Sequence, residues 1–494
     1  MNIPLINTNN ICILIFLSIL LAATNGYAEQ VVLNPRKPIS SQLLNKNTEY
    51  VIRHNFNLNG EIITVPHGCT LIFEESGRLI NGSLRGDSTL IKSSKNKIFK
   101  KINFIGTFKS KESRPEWFVS IVLDKALNQC IKLFQGVLLD NTYNIDSTIL
   151  IENSVSISGR GSLHFKNNVG ECFHIVKSGV SVTGLQIYVD NIESTIVHAL
   201  GNKNTPLNDI NITSCLLYGG KYSIVFDFCD NSCISNCIIK NVDYTGIGLY
   251  STRFIQVENN VISDINLSHN YDVSYGVTAT YHYGDKKSTD IIISNNVVSN
   301  NPYWEGLGTH GGERIIFSNN TIENCWRGVS AVGDNHRDIM LCNEIVIEGN
   351  TITCSKEPLS NGIVFTGVGV GNLSTNINVL RNKVLYSVIA LYSNHNDKVS
   401  ISSNSLFATD EIWRDVGSKD IVFENNKVEL SSDDASYYDK CVFYFKPTET
   451  VADQKFGDII NNSITTSRAS IIKFYRPLSN YNSTLVERGN TIKQ

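Results

Sequence analysis

No stretch of this 494-residue chain concentrates positive charge: 43 Lys and Arg stand against 46 Asp and Glu, for a net of -3. Without a basic tract to neutralise phosphates, nucleic-acid binding has no electrostatic support. Long apolar runs are also scarce. The one exception, residues 11–22 (ICILIFLSILLA), is too short to cross a bilayer comfortably, and no later segment is apolar enough to span one. Helical periodicity is equally rare. It appears once, from Val122 to Phe134, where Val122, Ala126, Cys130, Leu133 and Phe134 recur at helical spacing.

The apolar run is followed by Thr24, Asn25, Gly26, Tyr27 and Ala28, with small residues at −3 and −1 of a cut after Ala28. This reads as a secretory signal peptide over 1–28, whose n-region lacks Lys or Arg. The expected location is therefore secreted, periplasmic or cell-surface. Eleven cysteines lie beyond it; export permits disulfides, but a long chain with a large core does not need them.

What the chain has in abundance is short β-type runs. Residues 29–116 form a β-rich section broken by Asn, Gly and Ser. Over 117–494 an internal repeat emerges, apolar-x-apolar-x-x-Asn-x-apolar. Its Asn is filled by Asn260, Asn296, Asn320, Asn350, Asn382, Asn404, Asn426, Asn462 and Asn490, with Cys215 and Cys237 in two earlier copies. The shortest interval is 22 residues, enough for three short strands and three turns. Stacked coils place equivalent residues about 4.8 Å apart, so apolar positions form interior columns and the asparagines an amide ladder. Asn also tolerates the left-handed backbone that such a corner needs. Cys215 and Cys237 then read as small buried groups, with a disulfide between them as the alternative. Glu487 interrupts an interior column in the last repeat, where it discourages edge pairing.

The expected fold is all-β: a single-stranded right-handed parallel β-helix, with a short capping helix at its N-terminal end. The repeats SNNTIENC and SNNVVSNN, and the segment TYNIDSTILIENSVSISGRG that follows the helix, resemble the pectate-lyase-like superfamily. The section before it resembles the N-terminal part of secreted gut-bacterial members. Activities in that superfamily span pectate lyases, polygalacturonases, alginate lyases, epimerases and phage tailspike depolymerases, so the resemblance implies a polysaccharide partner without choosing a reaction.

A second column locates candidate chemistry. Gly246, Gly276, Gly306, Gly328 and Gly362 each open a strand, and aligning on them stacks their neighbours. Trp304 then adjoins Trp326, and Tyr275, Glu305 and Arg327 follow one another. One account is an exposed corner with a surface ion pair worth about 1 kcal/mol or less. The other is a sugar platform of two indoles with an acid and a base beside them. A further cluster centres on His310 in GTHGGER, with Tyr281 and His282 before it and Asp334, His336 and Arg337 after it. A histidine beside an acid and a tyrosine suits general acid–base work, although a corner histidine held by loops is the plainer account. Three histidines on successive coils also suggest a transition-metal site, but their offsets from the glycine column differ. Glu305 and His310, up to about 17 Å apart if extended, are expected to serve separate subsites.

Within the resemblance, GTHGGERI echoes the Gly-His-Gly and Arg-Ile-Lys of polygalacturonases, but their paired aspartates are missing. That argues against an inverting hydrolase. The Asp-Pro-His of alginate epimerases and the carboxylate cluster of pectate lyases are absent too, and Asp433 and Asp434 read as a solvated loop. The expectation is a secreted enzyme cleaving an acidic polysaccharide by β-elimination. His310 would be the base, Tyr281 the acid, and Arg327 or Arg337 the charge neutraliser, with a divalent cation such as calcium as a possible cofactor. A glycoside hydrolase, or a non-catalytic glycan-binding or structural surface protein, is the alternative; whether the chain forms a homo-oligomer is left open by the sequence.

Overall fold

The computed structural model describes residues 29–494 except 95, 120–121, 167, 267, 269–270, 283–284, 337, 432–440, 447–453, 467–469, 475–482 and 494. The expected signal peptide, Arg337 and the Asp433–Asp434 loop lie outside the described residues. The described residues divide into two compact units: 29–122 with Leu133–Gln135, and Leu123–Lys132 with 136–493.

In the smaller unit the strands also pair in parallel, Glu49–Ile52 with Thr70–Phe73 and the latter with Arg78–Ser93. An aromatic cluster of Phe99, Phe104, Phe108, Trp117 and Phe118 packs edge to face within it.

The larger unit is a right-handed parallel β-helix, the hand that parallel crossovers take in nearly all proteins. Every coil contributes up to three strands. In one coil these are Asn343–Glu348, Thr351–Cys354 and Asn361–Thr366, and each pairs in parallel with its counterparts on the coils before and after. The apolar columns run as the repeat requires. Ile262, Val298, Ile322 and Ile352 form one and Val257, Ile293, Phe317 and Ile347 another, all with no exposed surface.

The amide ladder is continuous from Asn260 to Asn490. The backbone N–H and the side-chain Nδ2 of Asn320 both donate to Asn350 Oδ1 at 2.9 Å, while the same Nδ2 reaches Ile293 O at 2.9 Å. This geometry repeats at each described step up to Asn462–Asn490. The left-handed backbone falls one residue earlier than expected, on Asn259, Asn295, Asn319, Arg381, Ser403, Asn425 and Asn461. The ladder asparagine is selected for its buried amide, and its predecessor makes the bend.

The helix spans Leu123–Leu133 and buries Ala126, Leu127, Cys130 and Ile131. Val122, expected on that face, is exposed. The Asp124 carboxylate holds the helix start by accepting from Asp146 N at 2.9 Å and Ser147 Oγ at 3.1 Å. At the other end Glu487 pairs in register with Ile459 but is itself exposed. Every described cysteine is a free thiol, Cys215 and Cys237 included.

Candidate functional site

The face that carries the site is built from the strands that follow each glycine column. Tyr275 pairs with Glu305, Glu305 with Arg327 and Arg327 with Asn361, so these side chains stack along the coil axis. The glycines are required by the stacking: a Cβ on Gly276 would lie 2.3 Å from Gly306 O. Within Val297–His310, Leu307 and Thr309 are fully buried, while Gly308 and His310 belong to the outer side. The corner at Gly306 breaks strand alternation, so Glu305 shares that side with them.

This corrects the expectation that Glu305 and His310 act apart. Gly308 has no side chain, and the Glu305 carboxylate lies across it: a Cβ there would meet Glu305 Oε2 at 2.4 Å. Glu305 Oε2 therefore reaches His310 Nε2 at 3.1 Å, and its Oε1 accepts from Arg327 Nη1 at 3.3 Å. Nor is this a surface ion pair, because the Glu305 side chain is 0% exposed against 22% and 23% for its partners. Burial would raise the Glu305 carboxyl, but the His310 charge and hydrogen bond, with Arg327, outweigh it and hold it below its ordinary value. Burial likewise opposes a charged His310, yet Glu305 and Asp334 carry it above the ordinary histidine value. With Nε2 engaged by Glu305, Nδ1 is the nitrogen left to exchange a proton with a ligand.

The indoles of Trp304 and Trp326 stand 5.0 Å apart, tilted by 43°. Their faces are shared with Arg327, whose guanidinium lies 4.2 Å from one ring and 5.1 Å from the other. Trp326 Nε1 donates to Pro358 O, while Trp304 Nε1 and Arg327 Nε have no hydrogen-bond acceptor among the described residues. The Tyr275 ring meets the His310 imidazole edge to face at 5.7 Å. Burial and the nearby Glu305 charge hold its phenol above the ordinary tyrosine value, so it stays protonated.

The other expected residues divide. Tyr281 is buried and donates its hydroxyl to Asp334 Oδ2 at 3.1 Å, and Asp334 acts on His310 by charge. His336 is 80% exposed, with its Nε2 4.0 Å from Asp334. His282 turns away from His310 to Asp227, Nε2 to Oδ1 2.9 Å, its ring stacked on Phe228 and Tyr250. The three histidines of successive coils thus do not converge, because they stand at different distances along the chain from the glycine column.

A group the sequence reading missed occupies the same face on earlier coils: Glu171, His174, His198 and Asp227, joined by His282. Gly161 and Leu185, rather than Asn or Cys, hold the ladder position on the first two of these coils, accepting from Gln186 N and Leu216 N as Cys215 accepts from Ile238 N. The Glu-x-x-His of ECFH, aligned with His198 on the next coil, was the available signal.

No helix among the described residues is long and apolar enough to cross a membrane. No family model and no curated protein matches the chain. Among solved structures it is similar to the Dettilon tailspike protein at 14% identity and TM-score 0.46, over 76% of this chain and 70% of that one. The tailspike of E. coli bacteriophage HK620, in complex with a pentasaccharide, follows at 12% and 0.41, over 77% and 76%. The catalytic unit of the GH87 alpha-1,3-glucanase from Streptomyces thermodiastaticus gives 11% and 0.41, over 90% and 63%. At such identity and overlap the likeness says nothing about chemistry.

Proposed function

We propose that the protein is an exported enzyme of the pectate-lyase-like superfamily that cleaves an acidic polysaccharide by β-elimination. The observation that carries this reading is the buried Glu305 that engages His310 Nε2 and Arg327 together, leaving His310 Nδ1 as the proton acceptor. In elimination, Nδ1 removes the proton alpha to a uronate carboxyl. The electron pair becomes the new C=C bond, the C–O bond to the next sugar breaks, and the departing oxygen takes a proton. Tyr275, protonated and in edge contact with His310, is the donor we assign in place of the buried Tyr281. Arg327 would neutralise the uronate carboxyl, and the outer surfaces of Trp304 and Trp326 would carry sugar rings.

Hydrolysis needs two accessible carboxyl groups about 5–10 Å apart. Glu305 is 0% exposed and engaged by His310 and Arg327, and Asp334 is largely buried and accepts from Tyr281, so neither is an open carboxyl. A non-catalytic glycan-binding role is favoured by one observation: the Arg327 guanidinium already lies against both indoles and is paired with Glu305.

Incubating the protein with a panel of acidic polysaccharides separates these readings. Elimination yields ultraviolet-absorbing unsaturated uronates, and His310→Ala should lower their formation by about 10²–10⁴-fold, the usual contribution of a positioned base. Reducing ends without unsaturation would instead indicate hydrolysis. Binding abolished by Trp304→Ala, with no product of either kind, would indicate the non-catalytic role.

A further inference from the structure

Glu171, His174, His198, Asp227 and His282 form an unbroken chain of alternating acids and histidines on the outer face. His174 Nδ1 lies 2.5 Å from Glu171 Oε2, and His198 Nδ1 lies 2.8 Å from Glu171 Oε1. His198 Nε2 is 2.8 Å from Asp227 Oδ2, whose second oxygen meets His282 Nε2 at 2.9 Å. In register, Glu171 opens the column that continues through Thr195, Tyr222, Thr245 and Tyr275 to Glu305. Glu171 therefore stands five coils from Glu305, about 24 Å by strand spacing, with Asp227 three coils away.

We propose that Glu171, His174 and His198 form a binding site for a first-row transition dication, with Zn2+ as its natural probe, and that Asp227 orients His198 from behind.

Four observations carry this. Among the described residues this is the one place where three donors from His, Cys, Asp or Glu side chains lie within 4.8 Å of one another. Two imidazole nitrogens and a carboxylate oxygen are a donor set suited to Zn2+ and its neighbours; Ca2+ requires six to eight oxygens. His174 Nδ1 is shielded from solvent and, although 2.5 Å from Glu171 Oε2, makes no hydrogen bond among the described residues. Finally, Asp227 and His282 supply the outer support such a site needs. A carboxylate behind the ligating histidine fixes its tautomer and ring angle, and the His282 ring that steadies Asp227 is itself stacked on Phe228 and Tyr250.

The exchange balances. Without an ion, both nitrogens of His198 face carboxylate oxygens, so both carry hydrogen. An incoming dication takes the place of the Nδ1 proton, which leaves to solvent, while Nε2–H keeps its bond to Asp227. Glu171 changes from hydrogen-bond acceptor to ligand. Three protein ligands leave a fourth tetrahedral position for water or a ligand oxygen.

The test is calorimetric titration of the metal-stripped full chain with Zn2+ alone, so it reads binding and stands apart from polysaccharide cleavage. One ion per chain is expected, with a Kd of about 1 μM or tighter. His174→Ala and His198→Ala should each weaken it by about 10²-fold or more, and Asp227→Asn by about 10–100-fold. Ca2+ should give no saturable binding. Glu171→Gln, close in size and still polar, provides a loss-of-affinity readout if an alanine variant fails to fold. Absence of stoichiometric Zn2+ binding would overturn the proposal. So would binding that persists in both Glu171→Gln and the histidine variants, which would place the ion elsewhere, on thiols for example.

Discussion

Glu305 Oε2 lies 3.1 Å from His310 Nε2 across the bare backbone of Gly308. The buried carboxylate is held below its ordinary value by His310 and Arg327, and the imidazole above its own by Glu305. Both signs follow from one pair. The Glu305 contribution to stability is present above the unfolded carboxyl value and is lost as pH falls through its depressed folded value. The His310 contribution is complete below the ordinary 6.5 and is lost as pH rises through the raised folded value. The pair therefore stabilises most between the two ordinary values, 4.5 and 6.5. Glu305→Gln should flatten this pH dependence, measured as denaturant midpoint against pH.

The same pair sets the activity profile. A base must be deprotonated to act, so kcat/KM on a susceptible polymer should rise with pH through a value above 6.5. In Glu305→Gln that limb should move to lower pH, and the plateau should fall by roughly 10²-fold because the tautomer is no longer fixed. An unmoved limb would mean that His310 is not the titrating group.

Gly308 offers a sharper probe than either partner. Its neighbours in the same column are Thr278 and Ser330, so the backbone there accepts a side chain. What excludes one at 308 is the Glu305 carboxylate, 2.4 Å from where Cβ would stand. Gly308→Ala should cost about 1–3 kcal/mol by overpacking and displace the carboxylate from His310. Its pH limb should shift as in Glu305→Gln, even though neither titrating residue is altered.

How far the sequence foretold this can be argued from particular residues. Asn320 and Ile322 lie in columns shared by many coils, and repetition makes such positions readable. The glycine alignment likewise stacked Glu305 on Arg327, and the register agrees. Strand periodicity, however, placed Glu305 and His310 too far apart, because the parity break at Gly306 is a corner that alternation does not encode. His282 was grouped with His310 because loop direction was unreadable, and it instead reaches Asp227. Glu171, His174 and His198 escaped because Gly161 and Leu185 hide the ladder on their coils.

The thiols give a simple check on the core. All described cysteines are free, and only Cys233 is less than fully buried. Reductant should leave the thermal midpoint unchanged, and a thiol reagent should label the native protein sparsely but the denatured protein fully. A lower midpoint in reductant would reveal a disulfide and contradict the free thiols of the interior.

The amide ladder makes the strongest claim about stability. Removing the Asn350 side chain deprives Asn320 N and Nδ2 of their acceptor and takes donors from Phe317 O and Asn382 Oδ1. These groups are buried, so water cannot replace the lost partners, and each unsatisfied buried group costs about 1–3 kcal/mol. Partial relaxation should leave Asn350→Ala destabilised by about 2–4 kcal/mol. Asn490 is the control. It accepts from Asn462 in the same way but sits only half-buried on the last coil, where water can enter. Asn490→Ala should cost about 1 kcal/mol or less. Amide exchange should then accelerate around Phe317 and Asn382 in the first variant and stay local to the end coils in the second. Equal costs at the two positions would mean that the ladder stabilises by chain geometry and not by its buried amides.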